Sequence, residues 1–171
     1  RRLMQEAYNA AVQYADTFAR EQSSNFIICG QSGLGKTYLA HCIANRVQTR
    51  GLSTLFLTAY RLFGLLRDAY FEQNDGKQLE QMLCVCDLLV LDDLGSEPLQ
   101  RNISLESLFS LLNERNIAHR ATLIVTNLSL TQLRDRYGER ISSRLITNDT
   151  PVIRLYGADV RIAQKRRTFQ N

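Results

Sequence analysis

The chain has 171 residues, the size of a single domain, and its 44% hydrophobic and 22% charged residues are typical of a globular protein. It contains no run of 18 apolar residues, so we expect no membrane span and no membrane partner. Residues 130–171 have nine Lys or Arg against four Asp or Glu, which indicates either a polyanion partner or bound phosphates, or else a solvated basic tail.

The four cysteines indicate a reducing compartment. Cys84 and Cys86 are separated by one residue, whereas paired zinc ligands are usually separated by about two to four. Cys29 lies in an apolar run and Cys42 in a helical pattern, so we interpret all four as reduced core residues of a cytoplasmic protein. Because the chain begins at Arg1 and not at Met, we expect a further N-terminal region to precede it.

Apolar residues alternate along the chain between two kinds of pattern. Residues at helical spacing predict helices over 3–20, 39–47, 62–73, 78–84, 105–112, 130–137 and 139–145. Short apolar runs predict strands at 26–29, 55–57, 88–91, 122–125 and 152–155. Strands that alternate with helices favour an α/β fold, in which a five-stranded parallel sheet is covered by helices on both faces.

A glycine-rich loop joins the first strand to the following helix and fits the pattern G-x-x-x-x-G-K-[ST]. Its residues are Gly30, Gln31, Ser32, Gly33, Leu34, Gly35, Lys36 and Thr37. The glycines let backbone N–H groups crowd around phosphate oxygens, and the positive end of the helix points at the same anion. Lys36 would reach the β- and γ-phosphates and the Thr37 hydroxyl would bind Mg²⁺, so we expect ATP and Mg²⁺ as ligands.

The third predicted strand ends in two adjacent carboxylates, Asp92 and Asp93. A buried apolar strand should not end this way unless a cation holds the carboxylates. We expect Asp92 to bind Mg²⁺ through water and Asp93 to polarise the attacking water.

Further polar residues follow the later elements. Asn127, at the end of the fourth strand, could orient a water or contact the γ-phosphate, or it could be a turn or N-cap residue. Arg140 and Arg144 lie on one helical face, and Arg161 follows the last strand. Each arginine could stabilise charge on a γ-phosphate of its own chain or of a neighbour, or it could be exposed or form a surface salt bridge.

Taken together, these motifs resemble the helicase-loader ATPases of the AAA+ superfamily, the DnaC, DnaI and IstB group, from about Phe26 to Arg161. The resemblance implies a three-layer P-loop NTPase fold of the AAA+ type with a reduced C-terminal lid. It makes 1–171 a single AAA+ domain, with a leading helix at 1–22, the P-loop core at 23–157 and the lid or tail at 158–171.

The resemblance also implies roles for individual residues. Asn127 matches the sensor-1 residue, Arg144 the arginine finger that completes a neighbouring subunit's site, and Arg161 the sensor-2 arginine. Asp93 stands where many AAA+ proteins have Glu, so hydrolysis is expected to be slow and to depend on assembly. The helix at 62–73 resembles the extra helix of initiators and loaders.

On that helix, the resemblance places Arg67, Tyr70 and Phe71 against single-stranded DNA, although the two aromatic residues could instead pack in the core. The expected function is ATP-dependent loading of the replicative helicase onto single-stranded DNA. The helicase would bind through the missing N-terminal region, and ATP would favour a ring or helical oligomer. Two alternatives remain: an IstB-like transposition helper that acts with a transposase on duplex DNA, and a small-molecule P-loop kinase.

Overall fold

The computed structural model describes residues 2–71, 75–98 and 103–157. Its strands are β1 (Phe26–Gly30), β2 (Thr54–Thr58), β3 (Leu88–Leu94), β4 (Ala121–Thr126) and β5 (Val152–Leu155). Its helices are α1 (Arg2–Thr17), α2 (Lys36–Thr49), α3 (Ala59–Phe71), α4 (Asp75–Val85), α5 (Ile103–Ile117) and α6 (Leu130–Leu145). All five predicted strands are present. The helices differ from prediction at their ends, since α1 ends at Thr17 rather than residue 20 and α3 begins three residues early.

The five strands form one parallel sheet in the order β2-β3-β4-β1-β5. Because β1 and β3 lie on either side of β4, the loops that follow these three strands meet at one edge. In β3 the pairing with β4 shifts register between Leu91 and Leu94. The irregularity falls on Asp92 and Asp93 and sets these two carboxylates apart from the regular ladder.

Successive residues of the central strands point to opposite faces of the sheet and are buried on both. Ile28 and Val90 pack with α1 and α2 on one face, whereas Ile27 and Leu89 pack with α3, α4, α5 and α6 on the other. The continuous apolar runs in the sequence are therefore explained by a sheet that is covered on both faces, as predicted.

Helix α6 begins with a capping box and is broken in the middle. The Ser129 side chain accepts from the Gln132 N–H, while the Gln132 side chain accepts from the Ser129 N–H. Gly138 has φ 78° and ψ 166°, which are not helical angles. The predicted helices 130–137 and 139–145 are the two halves of α6, and they meet at this glycine.

A buried carboxylate secures the edge of the sheet at which the strands begin. Asp87 is 2% exposed and accepts from the Ser53 N–H at 2.9 Å and from its hydroxyl at 2.8 Å. Arg20 Nε lies 2.9 Å from Asp87 Oδ1, and Arg120 donates to the same carboxylate. Burial alone would raise the pKa of Asp87, but the hydrogen bonds from Ser53 and Arg20 outweigh it and hold the pKa below its ordinary value.

We expect Asp87→Asn to lower the free energy of unfolding by about 2–4 kcal/mol at pH 7, because it leaves buried donors without their charged acceptor. The stabilisation is present above the unfolded pKa of about 3.9 and is lost as pH falls through the lower folded pKa, so the difference from wild type should close in acid. Urea titrations at several pH values measure this. Asp16→Asn is the control, since Asp16 pairs with Arg46 on the surface, and equal losses for both variants would contradict the account.

Candidate nucleotide-binding site

The glycine-rich loop runs from the end of β1 into the first turn of α2, as predicted. Gly33 and Gly35 have φ of 80° and 83°, in the left-handed region, and Gly35 is the N-cap of α2. A Cβ on Gly30 would lie 2.2 Å from the Leu155 carbonyl oxygen, so this glycine is needed for contact with β5. Leu34 is 2% exposed and anchors the loop in the core.

Lys36 joins the loop to the end of β4. Its residue is only 7% exposed, and Nζ donates to the Gln31 carbonyl oxygen and to Asn127 Oδ1, each at 2.7 Å. Asn127 Nδ2 donates in turn to Asp93 Oδ1 at 2.9 Å. The amide of Asn127 therefore connects the lysine of the loop to the second carboxylate of β3.

The two aspartates have separate contacts. Asp92 is 7% exposed, and its Oδ1 accepts from the Thr37 hydroxyl at 3.1 Å and from the Asp93 N–H at 3.0 Å. Asp93 is exposed and has φ 57°, which is uncommon for a residue other than glycine. Its left-handed backbone turns the carboxylate out of the strand toward Asn127.

These residues fit a Mg²⁺-nucleotide. The first turn of α2 contains no acidic residue and has Gly35 as its N-cap, so its N–H groups and the Lys36 ammonium present positive charge to one place. The Thr37 hydroxyl and the Asp92 carboxylate, 3.1 Å apart, are oxygen ligands of the kind that Mg²⁺ prefers.

Arg140 and Arg144 lie on the second half of α6 and both cover the ring of Phe109 on α5, at 4.1 and 5.1 Å from its centroid. Arg144 also donates from Nε and Nη2 to Asn113 Oδ1, each at 3.3 Å. Among the described residues neither arginine forms an ion pair, whereas Arg134 on the same helix pairs with Glu139 at 3.0 Å. The positive charge of Arg144 is therefore held in place without being neutralised.

Arg144 lies at the end of the sheet opposite the loop. Its carbonyl oxygen accepts from Asn25 Nδ2 at 2.8 Å, and Asn25 directly precedes β1, whereas the loop follows β1. A strand of five residues is about 15 Å long. The structure therefore does not bring Arg144 to the loop of its own chain.

Three predicted site residues cannot be placed. The side chains of Tyr70 and Phe71 lie outside the described residues, and so do Arg161 and the rest of 158–171. Arg67 is exposed on α3 and pairs with Asp68 at 3.1 Å. The sequence reasoning missed Phe109 and Asn113, since their importance depends on the packing of α5 against α6.

The described part of the chain has free cysteines and no membrane-spanning helix. Cys29 and Cys86 are buried, Cys42 and Cys84 are half-buried rather than in the core, and all four are free. Within the described residues, no helix has the length and apolar character needed to cross a membrane.

The parallel sheet, the phosphate-binding loop and the paired aspartates define an ATP-binding AAA+ domain. The chain belongs to the family of IstB-like ATP binding proteins, whose model matches residues 9–167. It is 30% identical over 146 residues to the uncharacterized protein YdaV of Escherichia coli, a match of 84% of this chain and 58% of that protein. It is 28% identical over 152 residues to the insertion sequence IS21 putative ATP-binding protein of Pseudomonas aeruginosa, covering 86% and 56%.

Among solved structures, the crystal structure of the DnaC helicase loader matches with a TM-score of 0.81 and 25% identity, over 90% of both chains. The chain spans about half the length of the curated relatives it matches. The predicted fold class and the resemblance to the DnaC and IstB group are thereby confirmed.

Proposed function

We propose that the protein is an ATPase that loads the replicative DNA helicase onto single-stranded DNA, and that its ATP site is completed by a neighbouring copy. The observation that carries the proposal is the placement of Arg144, which lies at the end of the sheet opposite its own loop and forms no ion pair with any residue that the structure describes. An arginine in this place could reach the γ-phosphate of a neighbouring copy but not that of its own chain. The likeness to the DnaC helicase loader over 90% of both chains supports the choice of a loader.

In this proposal each residue of the site has one task. Lys36 neutralises the β- and γ-phosphates, while Thr37 and, through water, Asp92 hold Mg²⁺, which supplies charge stabilisation at the phosphates when it is bound. Asp93 polarises the attacking water. Asn127 orients Asp93 and Lys36 together, since its amide contacts both.

Arg144 of one copy and Arg161 of the other would stabilise charge on the γ-phosphate, which is the type of interaction that arginine fingers provide. ATP can drive assembly in this way only if it binds the assembled state more tightly than the single chain. A site made from two copies meets that condition, because the contact between Arg144 and phosphate exists only after assembly.

The P-loop kinase has little support. The chain belongs to the IstB-like family, and its phosphate loop, paired aspartates and Asn127 are all accounted for without an acceptor substrate. The transposition helper has a specific observation in its favour, because the IS21 relative is an insertion sequence protein. It remains the second candidate function, with a transposase as partner and duplex DNA as substrate.

We expect Arg144→Ala to leave ATP binding by the single chain intact and to reduce ATP hydrolysis at high protein concentration by about 10³-fold, the lower range for an arginine finger. ATP-dependent assembly should weaken as well. Fluorescent-nucleotide titration and steady-state phosphate release measure the two effects. Arg134→Ala, on the same helix and 61% exposed, is the matched control. Loss of ATP binding by the single chain carrying Arg144→Ala would exclude the finger role.

Helix α3 is proposed to contact single-stranded DNA through Arg67, which is exposed, and through Tyr70 and Phe71. We expect Arg67→Ala to weaken binding to oligo-dT in the presence of ATP and to lower the salt dependence of binding by about one ion, because one phosphate contact is lost. Fluorescence anisotropy over a range of salt measures this. Arg46→Ala removes an exposed arginine from α2 and should change nothing. An unchanged salt slope for Arg67→Ala would remove α3 from the DNA surface.

Loader and transposition helper are distinguished by their partners. We expect the full-length protein with ATP to capture the host's replicative helicase in a pulldown and to prefer oligo-dT to a duplex of equal length. Capture of the cognate transposase instead, together with preference for the duplex, would establish the second candidate and reject the loader.

A further inference from the structure

Glu97 is a buried carboxylate that has no part in the proposed phosphate site. Its side chain is 0% exposed. Oε2 accepts from the Gly95 N–H at 2.8 Å, and Oε1 accepts from the Tyr137 hydroxyl and lies 3.4 Å from Arg136 Nη2. Arg136 Nη2 also donates to the Glu97 carbonyl oxygen. Because a buried charge is costly unless donors satisfy it, Glu97 holds the loop after β3 and the first half of α6 firmly together.

The loop that Glu97 closes is continuous with the ATP site. Ser96 donates to the Asp93 carbonyl oxygen from its N–H at 3.2 Å and from its hydroxyl at 2.9 Å. A Cβ on Gly95 would lie 2.5 Å from Leu128 Cδ1, so the loop packs directly against the residue that follows Asn127. The positions of Asp93 and Asn127 are therefore linked to the position of Glu97.

Helix α6 extends from the end of β4, beside Asn127, to Arg144. Its N-cap, Ser129, follows two residues after Asn127, and its last turn reaches Asn25 at the opposite end of the sheet. Between the two ends lies the break at Gly138, directly after Tyr137. A helix broken in this way does not fix the direction of its halves by its own hydrogen bonds, so contacts from outside must do so.

Glu97 holds the first half of α6 through Tyr137, and Asn113 on α5 holds Arg144 in the second half. Because Gly138 directly follows Tyr137, the contact with Glu97 fixes the point from which the second half starts.

We infer that Glu97 is a positioning residue that, through Tyr137 and Arg136, ties the loop after Asp93 to the first half of α6 and so sets the starting point of the second half, which carries Arg144 to the neighbouring copy's site. The inference rests on the proposed role of Arg144 in a neighbouring site. Burial, with the hydrogen bond to Glu97, raises the pKa of Tyr137, so its hydroxyl keeps its proton and remains a donor.

The test mixes two variants so that only one kind of interface can hydrolyse ATP. The acceptor chain carries Arg144→Ala and keeps Lys36, Asp92 and Asp93. The donor chain carries Asp93→Asn and keeps Arg144. Phosphate release is measured with ATP and oligo-dT over a range of mixing ratios, and we expect a rate in the mixture above that of either chain alone.

Tyr137→Phe is then added to the donor chain, where it removes one hydroxyl and leaves the ring. We expect the mixture's rate to fall about tenfold or more, because a small misplacement of a charge-stabilising group is costly. ATP binding by the donor should be unchanged. The matched control is Tyr14→Phe in the donor, since Tyr14 is also buried and donates to the Ser24 carbonyl oxygen at 2.8 Å, but lies on α1. This control should leave the rate unchanged.

Glu97→Gln in the donor should also lower the rate, and the double variant with Tyr137→Phe should be no slower than the slower single variant, because both changes break one link. If Tyr137→Phe fails to fold, as judged by thermal unfolding, Glu97→Gln decides alone.

The outcomes separate the two claims. Absence of any rate gain in the starting mixture would overturn the proposed role of Arg144, and the inference with it. A rate gain that survives both Tyr137→Phe and Glu97→Gln in the donor would overturn the role of Glu97 alone. An equal fall with Tyr14→Phe would show a loss of stability rather than of positioning, and would also overturn it.

Discussion

The contact between the Lys36 ammonium and the Asn127 amide is the interaction on which the rest of the site depends. Lys36 belongs to the loop after β1, Asn127 follows β4, and Asp93 on β3 completes the chain of hydrogen bonds. Three neighbouring parallel strands deliver these groups to one edge of the sheet, so the site follows from the strand order. The Lys36 residue is only 7% exposed, so water screens its ammonium charge weakly. This charge therefore attracts phosphate oxygens at the same edge of the sheet strongly.

Helix α6 connects the two ends of the sheet. Helix α6 starts beside Asn127 and ends at Asn25, so one element joins the ATP site of a chain to the arginine proposed for its neighbour's site. In the proposed assembly, such an arrangement would make each ATP site sensitive to the presence of another copy. The break at Gly138, directly after the residue that donates to Glu97, is a place where the two ends of α6 can be coupled.

The sequence alone is sufficient to predict much of the fold and the local chemistry. The phosphate-binding loop with Lys36 is predictable because its residues stand at fixed spacings along the chain, and so do the two carboxylates near the end of β3. The strands are predictable because each is a short continuous apolar run. The break in α6 was also visible, because Gly138 separates two helical patterns.

What could not be predicted depends on contacts between residues distant in the chain. Glu97 appears in the sequence as an ordinary acid two residues after a glycine, and only the fold shows that it accepts from Tyr137, forty residues away. Asp87 is a similar case, since its donors Arg20 and Arg120 come from two other loops. The distance of Arg144 from its own loop is likewise a property of the folded chain and not of any motif.

The central claim is that an ATP site in this protein is completed by a second copy. The most direct measurement is the rate of ATP hydrolysis per chain as a function of protein concentration, with oligo-dT present and the oligomeric state followed by analytical ultracentrifugation. The account predicts a rate per chain that rises with concentration and reaches its plateau as the oligomer forms. A rate per chain that is the same for the dilute single chain and for the oligomer would contradict it.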